Sequence, residues 1–346
     1  PRATRHIPEM IALIAALIEA GHAYEAEGHV LFDVLSWDDY GGLSRNRRDD
    51  IIAGARIEVA PYKKDAADFV LWKPSENGLP GWDTPWGRCR PGWHLECSAM
   101  SSKYLGKTFD IHGGGQDLIF PHHENEIAQS VCAHAQPLAR YWLHNGYLMA
   151  EGEKMSKSLG NFYTVHELLE EFPGEAIRLA LLKTHYRKPL DFTKAGIEEA
   201  KRELDKLYIA LRNAAEAEAE QVETPSELIE ALNDDINTPL ALSHLHEMAG
   251  LLNMAGDDKS KAFAKGRLLS AAASLGLLQQ DPEEWFRWQP KDAESLGETE
   301  IEALIAKREE ARANKDFALS DRIRGQLAEK GIVLEDGPQG TTWRRG

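Results

Sequence analysis

The sequence predicts an α/β domain in the first part of the chain and an all-α region after it. Two observations lead to this fold class. Residues 109–134 have the pattern of a buried strand, a glycine turn and a helix, which is typical of a parallel α/β sheet. Residues 194–277 consist of long amphipathic stretches rich in Ala, Leu, Glu and Lys, which predict a helical bundle.

A helix, a hairpin and a strand are expected in the first part of the chain, followed by a loop. Apolar residues at helical spacing predict a helix over 8–20. Alternating residues around a Glu-Gly pair predict a hairpin within 23–34, and 68–72 has the composition of a strand. Residues 74–91 are rich in Gly, Pro and Trp, so we expect them to be mostly loop.

Further elements follow in the middle of the chain and at its end. Helices are predicted over 93–105, 121–134 and 164–180, with a strand over 109–112. Beyond the bundle, residues 279–296 are rich in Pro, Gln and acidic residues and predict a linker. Residues 301–330 are helical again, and 331–343 provide a small pair of strands.

Composition excludes several classes of protein. The 346 residues suffice for two or three domains, and a hydrophobic content of 42% excludes a largely disordered chain. A formal net charge of −16 argues against a protein that coats nucleic acid by charge alone. No apolar run approaches the roughly 20 residues of a membrane span. Three cysteines are too few for a disulfide framework, so we expect a cytoplasmic protein, and we expect a monomer.

Three residues have the chemistry of a zinc site. His122 and Glu126 lie one helical turn apart on the same face of a predicted helix. Cys97 lies in the helix before it, and a thiolate, an imidazole and a carboxylate are good zinc ligands. The alternative is that Cys97 is a small buried residue and that His122 and Glu126 form a surface pair. Spacing alone leaves both interpretations open.

A cationic loop follows at residues 154–158, with the sequence Lys-Met-Ser-Lys-Ser. Its lysines are flexible point charges that can follow a phosphate group as charge develops on it. An exposed basic turn without function has the same composition. The five residues match the nucleotide-binding signature of class I aminoacyl-tRNA synthetases. The residues predicted on this ground to bind ATP are Lys154, Met155, Ser156, Lys157 and Ser158.

Longer motifs make the resemblance specific to one family. They are Trp-His-Leu-Glu-Cys-Ser-Ala-Met at 93–100, His-Gly-Gly-Gly-x-Asp-Leu at 112–118, Phe-Pro-His-His-Glu-Asn-Glu at 120–126 and Glu-Asp-Gly-Pro-Gln-Gly-Thr-Thr-Trp at 335–343. Residues 63–73 carry a further match. Together with the lysine loop, these motifs resemble the cysteinyl-tRNA synthetases from one end of the chain to the other.

The resemblance implies a class I synthetase with a Rossmann-like parallel sheet that is incomplete in this chain. It divides the chain into five regions. These are a connective insertion with helix and hairpin at 1–84, the second half of the catalytic domain with zinc ligands at 85–150, the lysine loop with a stem-contact linker at 151–193, a helical bundle at 194–280 and an anticodon-binding module at 298–346.

The resemblance also implies how the substrate is recognised. In this family one tightly bound zinc ion reads the thiol of L-cysteine, and Cys97, His122 and Glu126 correspond to three of its protein ligands. Zinc prefers a thiolate to a hydroxyl, so the metal separates cysteine from serine where pocket shape does not. We expect Trp93 to line the pocket and Asp117 to bind the α-ammonium group.

The nucleotide site is implied in the same way. Gly113, Gly114 and Gly115 are by themselves no more than a tight turn. The resemblance implies that this turn lets the backbone approach the adenosine of Mg-ATP. Lys154 and Lys157 are expected to stabilise the triphosphate as pyrophosphate leaves, with Lys157 the more important.

The C-terminal module is expected to bind the anticodon of tRNA(Cys). Arg312, Asp321, Asp336 and Trp343 are candidates for contacts to bases, through hydrogen bonds and stacking. As alternatives, Arg312 and Asp321 are surface charges of helices and Trp343 is a core residue. Phe317 stands where many relatives have Trp, so an aromatic side chain is kept there.

Two parts of the family's active site have no counterpart in this sequence. No His-x-Gly-His tetrapeptide occurs, and Cys89 lies in the wrong context to supply the fourth zinc ligand. Because a class I site needs both halves of its nucleotide pocket, we expect this chain to be inactive by itself. We interpret the abrupt start at Pro1 as that of a chain cut from a longer protein.

Two other interpretations stay open. One is a truncated paralogue that binds tRNA or zinc without catalysis. The other is a cysteine ligase of mycothiol synthesis, which would share the catalytic half and lack the anticodon module. The segment from Asp336 to Trp343 counts strongly against that ligase.

Overall fold

A computed structural model describes residues 1–46, 60–76, 78–150, 152–155, 162–291, 296–337 and 340–345. The chain divides into two compact units, residues 1–146 and 147–346. None of the helices within the described ranges is both long enough and apolar enough to span a membrane.

The first unit contains a five-stranded antiparallel sheet. Its strands are β1 (Ala23–Ala26), β2 (His29–Phe32), β3 (Phe69–Pro74), β4 (Trp82–Thr84) and β5 (Gly87–Pro91), in the order β1-β2-β3-β5-β4. The predicted hairpin is β1–β2. Glu27 and Gly28 both have positive φ in its two-residue turn, as the right-handed twist of a hairpin favours.

The prediction that 74–91 is mostly loop is wrong, because β4 and β5 form a second hairpin there. Trp82 pairs with Cys89 in its register, and Gly87, with a φ of 102°, lies at the turn between the strands. Cys89 is buried, so apolar burial stabilises a hairpin whose Gly and Pro content resembles that of a loop.

Among the residues that the structure describes in this unit, the sheet is accompanied by the α-helices α1 (Ile7–Glu19), α2 (Trp93–Leu105) and α3 (Glu124–His134). Met10, Ile14 and Leu17 of α1 are fully buried in a core shared with β2, β3, α2 and α3. Residues 121–123, where the sequence predicts the helix to begin, form a wider π-helical turn that leads directly into α3. Phe120 has an extended backbone, as the residue before a proline prefers.

Strands β6 (Phe109–Gly115) and β7 (Ala139–Asn145) form a parallel pair, and α3 lies between them in the chain. This is the parallel β-α-β arrangement that the sequence predicts. Strand β6 continues through the three glycines, beyond the predicted end at residue 112. In such a unit the carboxyl end of the first strand leads to the amino end of the helix, which is where a site is expected.

The second unit begins with a small sheet of β8 (Leu148–Ala150), β9 (Glu153–Lys154) and β10 (Leu190–Asp191), with β8 in the middle. Helices α4 (Val165–Glu171) and α5 (Gly174–Leu182) lie between β9 and β10 in the chain. One continuous helix was expected over 164–180. It is divided because Phe172 and Pro173 have extended backbones, as the residue before a proline prefers.

The predicted bundle follows as α6 (Lys194–Asn213), α7 (Ser226–Asn233), α8 (Thr238–Met254) and α9 (Asp258–Leu275), whose apolar faces share one core with α4 and α5. A buried carboxylate, Glu175 of α5, accepts hydrogen bonds from the Tyr208 hydroxyl at 3.0 Å and from the backbone of Leu278 at 2.8 Å and Gln279 at 2.9 Å. These bonds fix the chain after α9 against α5.

The C-terminal residues form α10 (Pro282–Arg287), α11 (Glu298–Ala313), α12 (Phe317–Glu329) and the antiparallel strands β11 (Ile332–Gly337) and β12 (Gly340–Arg345). The predicted linker therefore contains a short helix, whose Trp285 is buried in the bundle core. The predicted strand pair is present. A separate small core joins it to α11 and α12, and Trp343 belongs to that core.

Candidate active site

Helix α2 carries the first group of candidate residues at its amino end. Gly92 precedes the helix and donates its backbone N–H to the carbonyl oxygen of Leu71 at 2.8 Å. A Cβ at Gly92 would lie 2.2 Å from the carbonyl oxygen of Val70, so α2 starts this close to β3 only because the residue is glycine. This contact determines where Trp93 and Cys97 lie.

Cys97 lies near Glu126. Glu126 of α3 is 5% exposed. Burial, reinforced by the nearby Glu126 carboxylate, raises the pKa of Cys97 to about 12. A divalent cation between the two groups would instead favour the anionic form of both.

His112 of β6 approaches the same carboxylate. Its Nε2 lies 2.9 Å from Oε2 of Glu126, but without the angles of a hydrogen bond, so among the described residues this buried nitrogen has no hydrogen-bond partner. His112, His123 and Glu126 form a group whose ligand atoms all lie within 4.8 Å of one another. Two imidazoles and a carboxylate suit a zinc ion, so the donor set at this position fits the metal.

The predicted ligand His122 lies beside this group. Its Nδ1 is 2.9 Å from Nε2 of His94, and its ring centroid is 4.9 Å from that of Trp93. The structure brings Cys97 near Glu126 and His122 against His94, but within the described part of the chain it does not gather Cys97, His122 and Glu126 around one point. That ligand set stays a prediction.

Two histidines of the site, His94 and His123, have a lowered pKa. Nδ1 of His123 is 2.9 Å from Nε2 of His144. Burial, followed by the neighbouring imidazoles, lowers the pKa of His123 to about 4, and burial followed by His122 lowers that of His94 to about 4. Neutral imidazoles are metal ligands and can donate or accept a proton. Sequence reasoning missed the contributions of His112 and His144, although the His-Gly-Gly-Gly motif was a usable signal for the first.

Two of the glycines after His112 lie close to side chains of the site. A Cβ at Gly114 would lie 2.9 Å from Cε1 of His123, and one at Gly115 would lie 2.3 Å from Oδ1 of Asp117. Gly113 is exposed and less tightly enclosed. The side chains of the site thus lie directly on the backbone of β6, and the predicted approach of adenosine to these glycines stays a prediction.

The two residues predicted to contact the amino acid are exposed. Trp93 is 68% exposed, and its ring covers one side of His122. Asp117 lies in the turn that follows β6 and is also exposed. Both side chains are therefore accessible to a small polar ligand, and their contacts with it stay predictions.

The lysine loop lies only partly within the described residues. Lys154 ends β9, but its side chain and the residues Ser156, Lys157 and Ser158 lie outside the described part of the chain. Met155 is half-buried and packs against the bundle core. The start of the loop is therefore attached to the second unit by a strand and an apolar contact.

The four candidates in the C-terminal module differ in accessibility. Asp336 accepts two hydrogen bonds from Arg308, at 2.8 and 2.7 Å, and one from Arg312 at 3.1 Å. The Arg308 guanidinium holds the pKa of Asp336 well below its usual range. Trp343 is buried in the core of the module, whereas Arg312 and Asp321 are exposed. Sequence reasoning missed Arg308, which is only 3% exposed.

Comparison with known proteins defines the class first. The profile of the tRNA synthetases class I (C) catalytic domain matches residues 1–202, that of the DALR domain matches 227–279, and that of the cysteinyl-tRNA ligase anticodon binding domain matches 297–344. The fold is similar to that of Mycobacterium tuberculosis methionyl-tRNA synthetase in complex with methionyl-adenylate, with a TM-score of 0.52 and 15% identity over 80% of this chain and 72% of that one. The protein thus has the fold of a class I aminoacyl-tRNA synthetase, as the motifs predict.

Relatives then define the family. The chain is 63% identical to the cysteine–tRNA ligase of Paramagnetospirillum magneticum and 61% identical to that of Rhodospirillum rubrum. Both matches cover 100% of this chain and 76% and 75% of the relatives. The chain belongs to the cysteine–tRNA ligase family of ATP-dependent enzymes, and it spans about three quarters of the length of these relatives. The resemblance stated from the motifs is confirmed.

Proposed function

We propose that this chain selects L-cysteine through a zinc ion held by Cys97, His122 and Glu126, for the formation of cysteinyl-adenylate and the aminoacylation of tRNA(Cys). The observation that carries the proposal is the buried Glu126 carboxylate, which lies near the Cys97 thiol and beside the imidazoles of His112 and His123. Zinc supplies affinity for a thiolate that a hydroxyl lacks, and this separates cysteine from serine.

The residues of the first unit would each have one task. Cys97 would hold the metal as a thiolate, and Glu126 would be the second anionic ligand. The exposed ring of Trp93 would cover the substrate side chain, and the Asp117 carboxylate would bind the α-ammonium group. This carboxylate lies against Gly115, which has no side chain to compete for the same space.

The lysine loop would act on the nucleotide. Lys154 and Lys157, with the intervening and following residues of the motif, would hold the triphosphate of Mg-ATP and stabilise the charge of the departing pyrophosphate. The nucleotide pocket of the family also needs a His-Ile-Gly-His segment, and no such tetrapeptide occurs in these 346 residues. The 346-residue chain is therefore proposed to be inactive in adenylate formation by itself.

The C-terminal module would bind the anticodon. Arg312 and Asp321 are exposed on neighbouring helices and can reach base edges. The exposed Phe317 at the start of α12 offers a stacking surface. Asp336 and Trp343 would act mainly by shaping the module, since one is paired with arginines and the other is buried. We propose that the protein acts as a cytoplasmic monomer.

Zinc content tests the central part of this proposal. The wild-type chain, after dialysis against a metal-free buffer, should retain one zinc ion per chain. Cys97→Ser should lose it, because a hydroxyl is a poor zinc ligand. Cys132→Ser is the matched control, because Cys132 is also partly buried with a pKa raised to about 12 but has no carboxylate beside it. Equal zinc retention by all three proteins would contradict the proposed ligand.

A further inference from the structure

We propose that Arg212 is a positioning residue for tRNA binding, because its pairing with Glu335 sets the angle between the C-terminal module and the helical bundle. The inference rests on the proposed function in one respect, namely that the module binds the anticodon. Arg212 lies in the last turn of α6, and Glu335 lies in β11 of the module. Both residues belong to the second unit.

The short helix α10 is attached to α6 and supports the contact from below. The ring of Tyr208 in α6 stacks on that of Trp285 in α10, with centroids 4.6 Å apart. The indole Nε1 of Trp285 donates a hydrogen bond to Oδ1 of Asp205 at 2.8 Å. Phe286, the next residue, is 2% exposed and belongs to the bundle core. Helix α10 is therefore part of the bundle, although it precedes the module directly in the chain.

The side chain of Arg212 passes over α10 and reaches the module. Its Cζ lies 4.5 Å from the centroid of the Phe286 ring. Its Nη2 donates a hydrogen bond to Oε2 of Glu335, and the arginine side chain in this ion pair is only 15% exposed. A planar guanidinium that stacks on a ring while it pairs with a carboxylate has a defined direction. The contact between bundle and module is therefore directional.

Glu335 transmits this contact to the rest of the module. Its Oε1 also accepts a hydrogen bond from Nε of Arg344 in β12, at 3.0 Å. The next residue of β11, Asp336, is paired with Arg308 and Arg312 of α11. The module has a hydrophobic core of its own, so its strands and helices move together. A change in the direction of Glu335 therefore turns the whole module.

Close packing does not by itself fix the angle at this joint. The bundle and the module have separate hydrophobic cores. A cavity of about 420 Å³ lies between them, lined by residues of α10, α11 and β12 that include Glu283 and Trp343. Oε1 of Glu283 is 3.9 Å from Nε of Arg212, so the ion pair lies beside this cavity. Where the surfaces leave a void, a directional polar contact has more influence on the angle.

The angle matters because a tRNA is a single extended ligand. Its anticodon and the end that receives the amino acid lie far apart, so the protein contacts two parts of one molecule at once. Two linked contacts reinforce each other only in a geometry that lets the ligand engage both. When only a fraction of the protein molecules has that geometry, the apparent affinity falls by the same fraction. Arg212 thus affects the binding of a whole tRNA without touching it.

Binding of two RNAs to the 346-residue chain tests the inference. The probes are whole tRNA(Cys) and its isolated anticodon stem–loop, which keeps the contacts to the module and lacks the other end. Arg212→Gln and Glu335→Gln should each weaken binding of the whole tRNA about five- to tenfold and leave the affinity for the stem–loop unchanged. The double variant should bind no more weakly than either single variant, because both changes remove the same contact.

Arg267→Gln is the matched control. The guanidinium of Arg267 also pairs with a carboxylate, that of Glu227, and lies 5.9 Å from the ring centroid of Phe263, but all three residues are in the bundle. This variant should bind both RNAs like the wild type. Equal weakening of the two RNAs by Arg212→Gln would overturn the inference, as would additive losses in the double variant.

Residual dipolar couplings of backbone amides measure the angle without RNA. In the wild-type chain, α6 and α11 should share one alignment frame, and in Arg212→Gln they should need two. Couplings in Arg212→Gln equal to those of the wild type would overturn the inference. A wild-type chain that does not bind the stem–loop would instead refute anticodon binding, while the couplings still test the role of Arg212 in fixing the module.

Discussion

Gly266 should be a position in the bundle where alanine destabilises the protein, although it lies within a helix. The backbone of Glu220, in the segment between α6 and α7, crosses α9 at this glycine, and a Cβ there would lie 2.0 Å from the Glu220 carbonyl oxygen. The crossing is fixed by a hydrogen bond from the Glu220 N–H to the Ala262 oxygen at 3.0 Å. It is also fixed by Lys265, which donates to the Ala217 oxygen at 2.9 Å.

The magnitude follows from two opposing contributions. Replacing glycine by alanine in a helix stabilises by about 0.5–1 kcal/mol. Relieving the overlap displaces the Glu220 backbone, which costs about 1 kcal/mol for its hydrogen bond and about 1–3 kcal/mol for strain. Gly266→Ala should therefore lower the free energy of unfolding by about 1–3 kcal/mol.

Gly250 in α8 provides the matched control, because a Cβ there would meet no atom within 4 Å. Gly250→Ala should raise the free energy of unfolding by about 0.5–1 kcal/mol. Urea unfolding followed by circular dichroism measures both variants, and Glu220 amide exchange should accelerate only in Gly266→Ala. Equal stabilisation by the two substitutions would refute the steric reasoning.

Three further predictions concern the site and the C-terminal module. Gly92→Ala would place a Cβ 2.2 Å from the Val70 oxygen. It should lower the free energy of unfolding by about 1–3 kcal/mol and reduce the zinc retained after dialysis. Unchanged zinc content would contradict the role of Gly92 in placing α2. Asp336→Asn should lower the free energy of unfolding by about 1–3 kcal/mol, since it leaves the buried Arg308 guanidinium without its carboxylate; a stability equal to wild type with weaker tRNA binding would instead make Asp336 a base contact. The pKa of His123 is lowered to about 4 from the 6.5 of the unfolded chain, so the unfolded state binds more protons between these values and stability should fall as the pH drops from 6.5 to 4. Urea unfolding of the metal-free chain at pH 7 and pH 5 measures this loss of stability. His123→Gln lacks the imidazole, so an equal loss between the two pH values in that variant would contradict the prediction.

Much of the fold could be predicted because the local patterns agree with the tertiary structure. The helix over 93–105 and the β1–β2 hairpin have a clear period and turn chemistry, and both are present. The hairpin of β4 and β5 could not be predicted in this way, because its glycines and prolines are also typical of loops. The sequence contains a signal for the break at Pro173, because the residue before a proline avoids the helical conformation. The helical pattern on both sides nevertheless predicts one continuous helix.

The candidate site was predictable only in part. The helical spacing of His122 and Glu126 and the position of Cys97 are local features of the sequence. The contact of His112 with Glu126 depends on how β6 lies against α3, which no spacing along the chain reveals. The bond between Tyr40 and Asn125 joins residues 85 positions apart. Trp343 shows the converse, since its motif suggests a base contact while the structure buries the ring.

Amino-acid-dependent exchange of pyrophosphate into ATP tests the central claim most directly. It should be measured with cysteine and with serine, on the 346-residue chain and on the same chain joined to a segment that carries His-Ile-Gly-His. The account predicts exchange only in the joined protein, only with cysteine, and its loss on zinc removal. Exchange with serine, or exchange by the 346-residue chain alone, would contradict it. Absence of exchange in both proteins would also contradict it and would favour a paralogue that binds tRNA without catalysis.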